Sequence, residues 1–194
     1  MRIFIYNNRL NLSNYITAIE KLKHDYIFSD NINKAINCDF LILTGGGDIY
    51  PPIYNKKPST LSKYNLKTDF DELNLLRLFV KLNKPALGIC KGMQIINVYF
   101  NGTLKNIKGH EEDSGDIFHK ITWNTQADFI KNKPTIVNSS HHQAIDKLGD
   151  NLEVLATSKD GIIESVKHKN LKIIGVQFHP ERLSENILSN FLID

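Results

Sequence analysis

The sequence predicts an α/β fold in one domain over residues 1–194: a three-layer sandwich with a mostly parallel central sheet and helices on both faces. Three observations predict it. Short β-branched, apolar runs end at turn residues, as buried parallel strands do. Segments of helical period lie between them. No repeat or linker interrupts the alternation, so one layered core is expected.

Taken in order, residues 2–6 (RIFIY) and 40–44 (FLILT) read as central strands. Between them Leu12, Tyr15, Ile16, Ile19 and Leu22 form one apolar stripe on a polar helix, which gives a strand, helix, strand opening. A second helix is expected over residues 69–82, carrying Leu73, Leu76 and Val80 beside Leu75 and Phe79. Asn83 and Pro85 stop it before a strand at 86–89. The helix expected over 91–100 is apolar nearly all round through Met93, Ile95, Ile96, Val98 and Phe100, so it belongs deep against the sheet. Past Gly102 short strands with turn signals follow near 118–123, 135–137, 152–156, 162–166 and 172–178, and a closing helix is expected over 183–192.

The 194 residues are 41% apolar, enough for a buried core, and the net charge of +3 comes from scattered lysines rather than a basic stripe. A nucleic-acid surface is therefore not expected, while an anionic small substrate is compatible. Cys38 and Cys90 alone make no disulfide framework and match no zinc spacing. No run reaches membrane-spanning length and the opening run is too short for a signal segment, so a cytoplasmic location is expected. The abundance of Lys, Ile and Asn over Arg points to an AT-rich, bacterial type of genome.

Gly88-Ile89-Cys90-Lys91-Gly92 joins a buried strand to a buried helix with the spacing of a nucleophile elbow, whose glycines permit a sharp, strained turn. A thiol there faces the positive end of the helix dipole, which favours thiolate. Gly175-Val176-Gln177-Phe178-His179-Pro180-Glu181 places a histidine at the end of another apolar strand. Parallel strands end at one edge, so His179 can serve Cys90 as base and Glu181 can hold the imidazole tautomer. Thr44-Gly45-Gly46-Gly47-Asp48 follows a third strand at that edge. Its backbone amides, with that of Lys91, can hold an oxyanion, and a phosphate loop is disfavoured because the Lys and Ser/Thr that should follow are missing.

These pieces, in this order and with about ninety residues between Cys and His, resemble the class I glutamine amidotransferase-like superfamily. Two stretches resemble its gamma-glutamyl hydrolase branch: Gly45-Gly46-Gly47-Asp48-Ile49-Tyr50-Pro51 with Tyr54, and Val137-Asn138-Ser139-Ser140-His141-His142-Gln143-Ala144-Ile145. Asp69, Glu72, Gln94, Asn97, Gly102-Thr103-Leu104, Asp160-Gly161 and Glu164 add to the likeness, which spans residues 41–181.

The resemblance implies a flavodoxin-like sheet order and the following roles. Cys90 is the nucleophile, His179 the base and Glu181 its orienter. Gly46 and Lys91 give the oxyanion hole. Gln94, Ser140 and His141 contact the substrate. It also implies a stand-alone hydrolase that cleaves a gamma-glutamyl amide to glutamate and an amine, with no cofactor, no metal and no obligatory protein partner. The amine is a nucleotide phosphoramidate if the chain follows hydrolases acting on gamma-glutamyl-CDP-amidate in capsule phosphoramidate synthesis, or gamma-aminobutyrate if it follows those of polyamine breakdown. A glutaminase subunit of a partner-dependent amidotransferase is the rival from another class. Thr44 in place of a usual Pro, Asn101 in place of a Gly, and Lys91 in place of the common Arg are mild departures. The opening is several tens of residues shorter than in typical members, and the residues that read the amine are expected in the aperiodic stretches 49–67 and 105–118, with Lys56, Lys57, Lys105 and Lys108 able to meet a phosphate.

Other residues receive plain readings. Cys38 is a small buried hydrophobe and Trp123 a core residue. His24, His168 and Glu111-Glu112-Asp113 are solvated, His142 and Gln143 are structural, and His110 and His119 flank a loop bordering the pocket.

Overall fold

A computed structural model describes residues 1–8, 12–58, 63–112, 114–183 and 187–192. The elements are β1 (Arg2–Tyr6), α1 (Ser13–Lys21), β2 (Asp25–Ser29), β3 (Phe40–Leu43), α2 (Leu66–Lys81), β4 (Ala86–Ile89) and α3 (Lys91–Tyr99), then β5 (Leu104–Asn106), β6 (Ile117–Trp123), β7 (Ile136–Ser139), β8 (Gln143–Ile145), β9 (Leu152–Ser158), β10 (Ile163–His168) and β11 (Ile173–Val176). A nine-stranded sheet has the order β2-β1-β3-β4-β11-β10-β9-β6-β7, and β5 with β8 forms a small separate pair. Pairing is parallel from β2 to β11 and antiparallel beyond. Only β10 and β6 run against the other strands, so the sheet remains mostly parallel in direction.

Alternation along the strands sorts the core into two layers. Ile3, Ile5, Phe40, Ile42, Leu87, Ile89, Ile174 and Val176 join Tyr15, Ala18 and Ile19 of α1 on one face. Phe4, Leu41, Leu43, Ala86 and Ile173 join Leu75, Leu76 and Phe79 of α2 and Met93, Ile95 and Ile96 of α3 on the other. Three glycines let α3 lie directly on the sheet. A Cβ on Gly92 would stand 2.2 Å from the Leu43 carbonyl oxygen, one on Gly88 2.4 Å from the Gly92 carbonyl carbon, and one on Gly175 2.5 Å from Met93 Cγ. No side chain fits in that seam.

Several expectations need correction. The opening is not strand, helix, strand: β2 and a 3₁₀ turn at Ile32–Asn37 stand between α1 and β3. Strand β2 (DYIFS) is an edge strand with mostly half-buried side chains, so it lacks the continuous apolar run that marks a central strand. Helix α2 starts at Leu66 rather than 69, because Asn65 caps it by accepting from the Thr68 N–H at 3.1 Å. The described part of the closing segment is a 3₁₀ turn, Ile187–Phe191, rather than a helix over 183–192, of which residues 184–186 lie outside the described residues. Its buried Leu188 and Phe191, three apart, share one side of a three-residue turn and pack with Phe178 and Trp123. Strands β5 and β8, three residues each, carried too little periodicity to be read. Among the described residues no helix is long and apolar enough to cross a membrane.

Candidate active site

Strands β3, β4 and β11 are neighbours in the sheet, with Leu43 opposite Gly88 and Val176 opposite Ile89. Their carboxyl ends therefore release the Gly45–Gly47 loop, Cys90 and the His179 segment side by side, at the edge where ligands bind in open α/β sheets. Cys90 takes φ 53° and ψ −105°, a conformation that costs energy for a residue with a Cβ and turns its side chain out between strand and helix. The Cys90 N–H donates to Val176 O at 2.8 Å, which pins the elbow to β11.

His179 Nδ1 lies 2.8 Å from Glu181 Oε1, and the ring stands close enough to Cys90 to feel its charge. Burial pulls the imidazole towards neutrality, but the negative charges of Cys90 and Glu181 outweigh it and push the pKa up to about 10. The His179 N–H donates to Asn138 Oδ1 at 3.0 Å, while Asn138 Nδ2 donates to Asp116 Oδ2 at 3.0 Å, so β7 fixes the histidine backbone.

Below the elbow Lys91 is buried, with Nζ 2.8 Å from Asp69 Oδ1 and 2.8 Å from Glu72 Oε2 of α2. Asp69 Oδ2 in turn accepts from the Tyr50 N–H at 2.9 Å, which ties the residues after the glycine loop to α2. Burial raises the Glu72 pKa to about 7 against the pull of Lys91. Among the described residues the Gly46 and Lys91 amide N–H groups carry no internal hydrogen bond. Both residues line a cavity of about 180 Å³ with Cys90, Gln94, Ser140 and His141.

Gln94 Nε2 donates to Gln143 O at 3.0 Å and to Gln177 Oε1 at 3.3 Å, which leaves its carbonyl oxygen as an acceptor for a ligand. His141 Nδ1 donates to Gln143 O at 3.0 Å, and its buried Nε2 has no partner among the described residues. Burial and the neighbouring His110 hold the His141 pKa down at about 3, so this nitrogen is also an acceptor.

The sequence profile described as peptidase C26 matches residues 28–181. The chain belongs to the peptidase C26 family. It is 34% identical over 169 residues to the gamma-glutamyl-CDP-amidate hydrolase of Campylobacter jejuni, covering 87% of this chain and 72% of that protein. It is 30% identical over 185 residues to the glutamine amidotransferase-like protein YvdE of Lactococcus lactis, covering 86% and 78%. In fold it matches a glutamine amidotransferase of Thermotoga maritima with a TM-score of 0.70 at 17% identity, over 99% of this chain and 80% of that one.

The geometry of this peptidase C26 chain includes groups that sequence reasoning missed. Tyr15 was legible only as part of the apolar stripe of α1. Its hydroxyl accepts from the Gly45 N–H at 2.8 Å and lies 3.5 Å from His179 Nδ1. A Cβ at Gly45 would meet His179 Cε1 at 2.9 Å, so the first glycine makes room for the imidazole. Gln177 Nε2 donates to Cys90 Sγ at 3.6 Å, and only its place two residues before His179 hinted at this. His142, read as structural, bridges Asp48 Oδ1 at 2.7 Å and Glu111 Oε2 at 3.1 Å across the cavity rim. Glu111 is thus paired, Glu112 is exposed, and Asp113 lies outside the described residues. His168 is not solvated: it is buried, and its Nδ1 accepts from the Asn170 and Leu171 N–H groups at 3.1 and 3.0 Å, closing the turn after β10. Cys38 is fully buried and Trp123 packs with Phe178 and Phe191, as a small hydrophobe and a core residue do. His110 borders the pocket through its ring contact with His141, centroids 4.9 Å apart.

Proposed function

We propose that this chain is a gamma-glutamyl amide hydrolase that acts through a thioester on Cys90. The observation that carries the reading is the chain of contacts from Cys90 to His179 to Glu181 at a strained elbow. The Cys90 thiolate attacks the gamma carbonyl carbon, and the oxygen takes up charge against the Gly46 and Lys91 amides. His179, held protonated beside Glu181, gives its proton to the departing amine as the C–N bond breaks. Water deprotonated by the now neutral His179 then attacks the thioester and releases glutamate and the thiolate. The Gln94 oxygen, His141 Nε2 and Ser140 suit the amino-acid head of the glutamyl group. The steps need no metal or organic cofactor.

For the amine, the reading favours an anionic group, with a nucleotide phosphoramidate as its fullest form. Lys56, Lys57 and Lys105 line one cleft of about 240 Å³ that shares Gln143 with the catalytic cavity, and a relative named for gamma-glutamyl-CDP-amidate supports it. Gamma-glutamyl-gamma-aminobutyrate, whose tail carries a single carboxylate, is the less highly charged alternative. The rival, a glutaminase subunit serving a synthetase, draws support from the exposed Phe118 and Ile136, which stand diagonally on one face of the β6–β7 pair. The test is to assay the purified chain alone on gamma-glutamyl-CDP-amidate, gamma-glutamyl-gamma-aminobutyrate and glutamine. Turnover of the first far above the other two is expected, and neutralising the three lysines should raise KM several-fold for it, less for the singly charged aminobutyrate amide, and leave that for glutamine unchanged. Activity confined to glutamine and stimulated by an added synthetase would favour the subunit.

A further inference from the structure

The antiparallel half of the sheet gathers three side chains that stand far apart in the sequence. We propose that His110, His119 and Glu164 form a binding site for a divalent transition-metal ion of the zinc class, behind the wall of the catalytic cavity. One ligand atom from each residue lies within 4.8 Å of the others. His119 Nε2 is 3.0 Å and His110 Nδ1 3.7 Å from Glu164 Oε1. Two imidazoles and a carboxylate are the donor set that zinc and its first-row neighbours accept while keeping a further position open.

The surroundings fit ligation. His110 Nε2 lies 3.0 Å from Asp160 Oδ2, so a carboxylate occupies the far nitrogen and turns Nδ1 towards Glu164, as outer carboxylates do for metal-binding histidines. Ser139 Oγ, 3.4 Å from that Nδ1, donates instead to the His110 carbonyl at 2.7 Å. Glu164 is fully buried, and among the described residues neither its Oε2 nor His119 Nδ1 has a hydrogen-bond partner. A buried carboxylate oxygen without a donor is costly, and a cation supplies what it lacks. Beside the cluster a cavity of about 520 Å³, lined also by Lys120 and Lys159, leaves room for an anionic or hydroxide ligand at the open position.

The ion would act on the catalytic cavity by stiffening its wall. The His110 carbonyl accepts from the His141 N–H at 3.0 Å and the two rings touch, so fixing His110 fixes His141. No step of the proposed hydrolysis passes through the metal, and the inference stands whether or not that reaction is the right one.

The test uses Cys90→Ala protein, in which the pocket thiol cannot bind zinc, stripped with a chelator and titrated with Zn²⁺ by calorimetry and with Co²⁺ by visible absorption. One equivalent per chain, the d–d bands of a nitrogen and oxygen site, and a raised Tm are expected. His119→Ala and Glu164→Gln should each weaken binding at least about a hundredfold, with circular dichroism of the metal-free proteins showing that they fold. Asp160 is more than half exposed, so Asp160→Asn can be made without disturbing the core, and it should weaken binding by about 10- to 100-fold. No saturable binding in the parent, or affinity unchanged by Glu164→Gln or Asp160→Asn, would overturn the proposal.

Discussion

The parallel and antiparallel halves of the sheet meet where β11 pairs with β10, and they handle polar groups in different ways. In the parallel half the central strands β3, β4 and β11 are apolar along their length, and the groups of the candidate site that the sheet carries sit just past their ends: the glycine loop after β3, Cys90 after β4, His179 after β11. In the antiparallel half the polar groups lie within the strands, His119 in β6 and Glu164 in β10, buried and pointing into neighbours. A parallel strand covered by helices has no room for a charge along its length, so its chemistry is driven to the edge. Strands of an antiparallel sheet can carry buried charge where a partner strand supplies the matching group.

If the reaction belongs to the parallel edge, Cys90→Ala should abolish turnover, a loss of at least about 10⁴-fold in kcat, while Cys38→Ala leaves kinetics nearly unchanged. Activity lost in the second variant and kept in the first would place the chemistry elsewhere. Glu181→Gln should next lower kcat by roughly 10²- to 10⁴-fold with little change in KM, because the imidazolium loses its carboxylate. A normal turnover number would remove Glu181 from the mechanism. Lys91→Met leaves Asp69 and Glu72 buried without their cation and should cost about 3–5 kcal/mol in denaturant unfolding. Stability unchanged in that variant would show that the elbow does not depend on the ion pair beneath it.

The smallest effect is in pH. Glu72 and His179 both hold a proton more tightly in the folded chain than in the unfolded one. Their contributions to stability are therefore full at low pH and are lost as pH rises, from about 4.5 to 7 for Glu72 and from about 6.5 to 10 for His179. Unfolding curves of Glu72→Gln should be flatter in the first window, and those of Cys90→Ala, which lacks the charge that raises His179, in the second. Unaltered pH profiles in both variants would count against these couplings.

The same contrast explains what was legible. Parallel strands betray themselves as continuous apolar runs, so β1, β3, β4 and β11 and the three motifs at their ends could be read directly, whereas Gln94, one turn past the elbow, entered only through the family likeness. Tyr15 could not be read as a site residue, because its hydroxyl serves Gly45 from a helix whose pattern reports only burial. The His110, His119 and Glu164 cluster was hidden for another reason. Strand pairing, which no local pattern records, brings these residues together, and Glu164 appeared only as part of a family likeness. The 3₁₀ turn at Ile187–Phe191 was mistaken for a helix because apolar residues three or four apart suit either.

The glycine seam under α3 has a consequence for how this chain can change over evolutionary time. Where side chains separate two layers, a mutation in one can be absorbed by a new rotamer in the other, and the backbone drifts by small steps. At Gly88, Gly92 and Gly175 the contact is made by main-chain atoms or by the stem of Met93, within 2.2–2.5 Å of any added Cβ, and there is nothing that can rotate out of the way. Descendants of this sequence can remodel the exposed loops and the solvent-facing side chains of the far strands with more freedom. They inherit the position of the thiol unaltered, or they lose it at a single step.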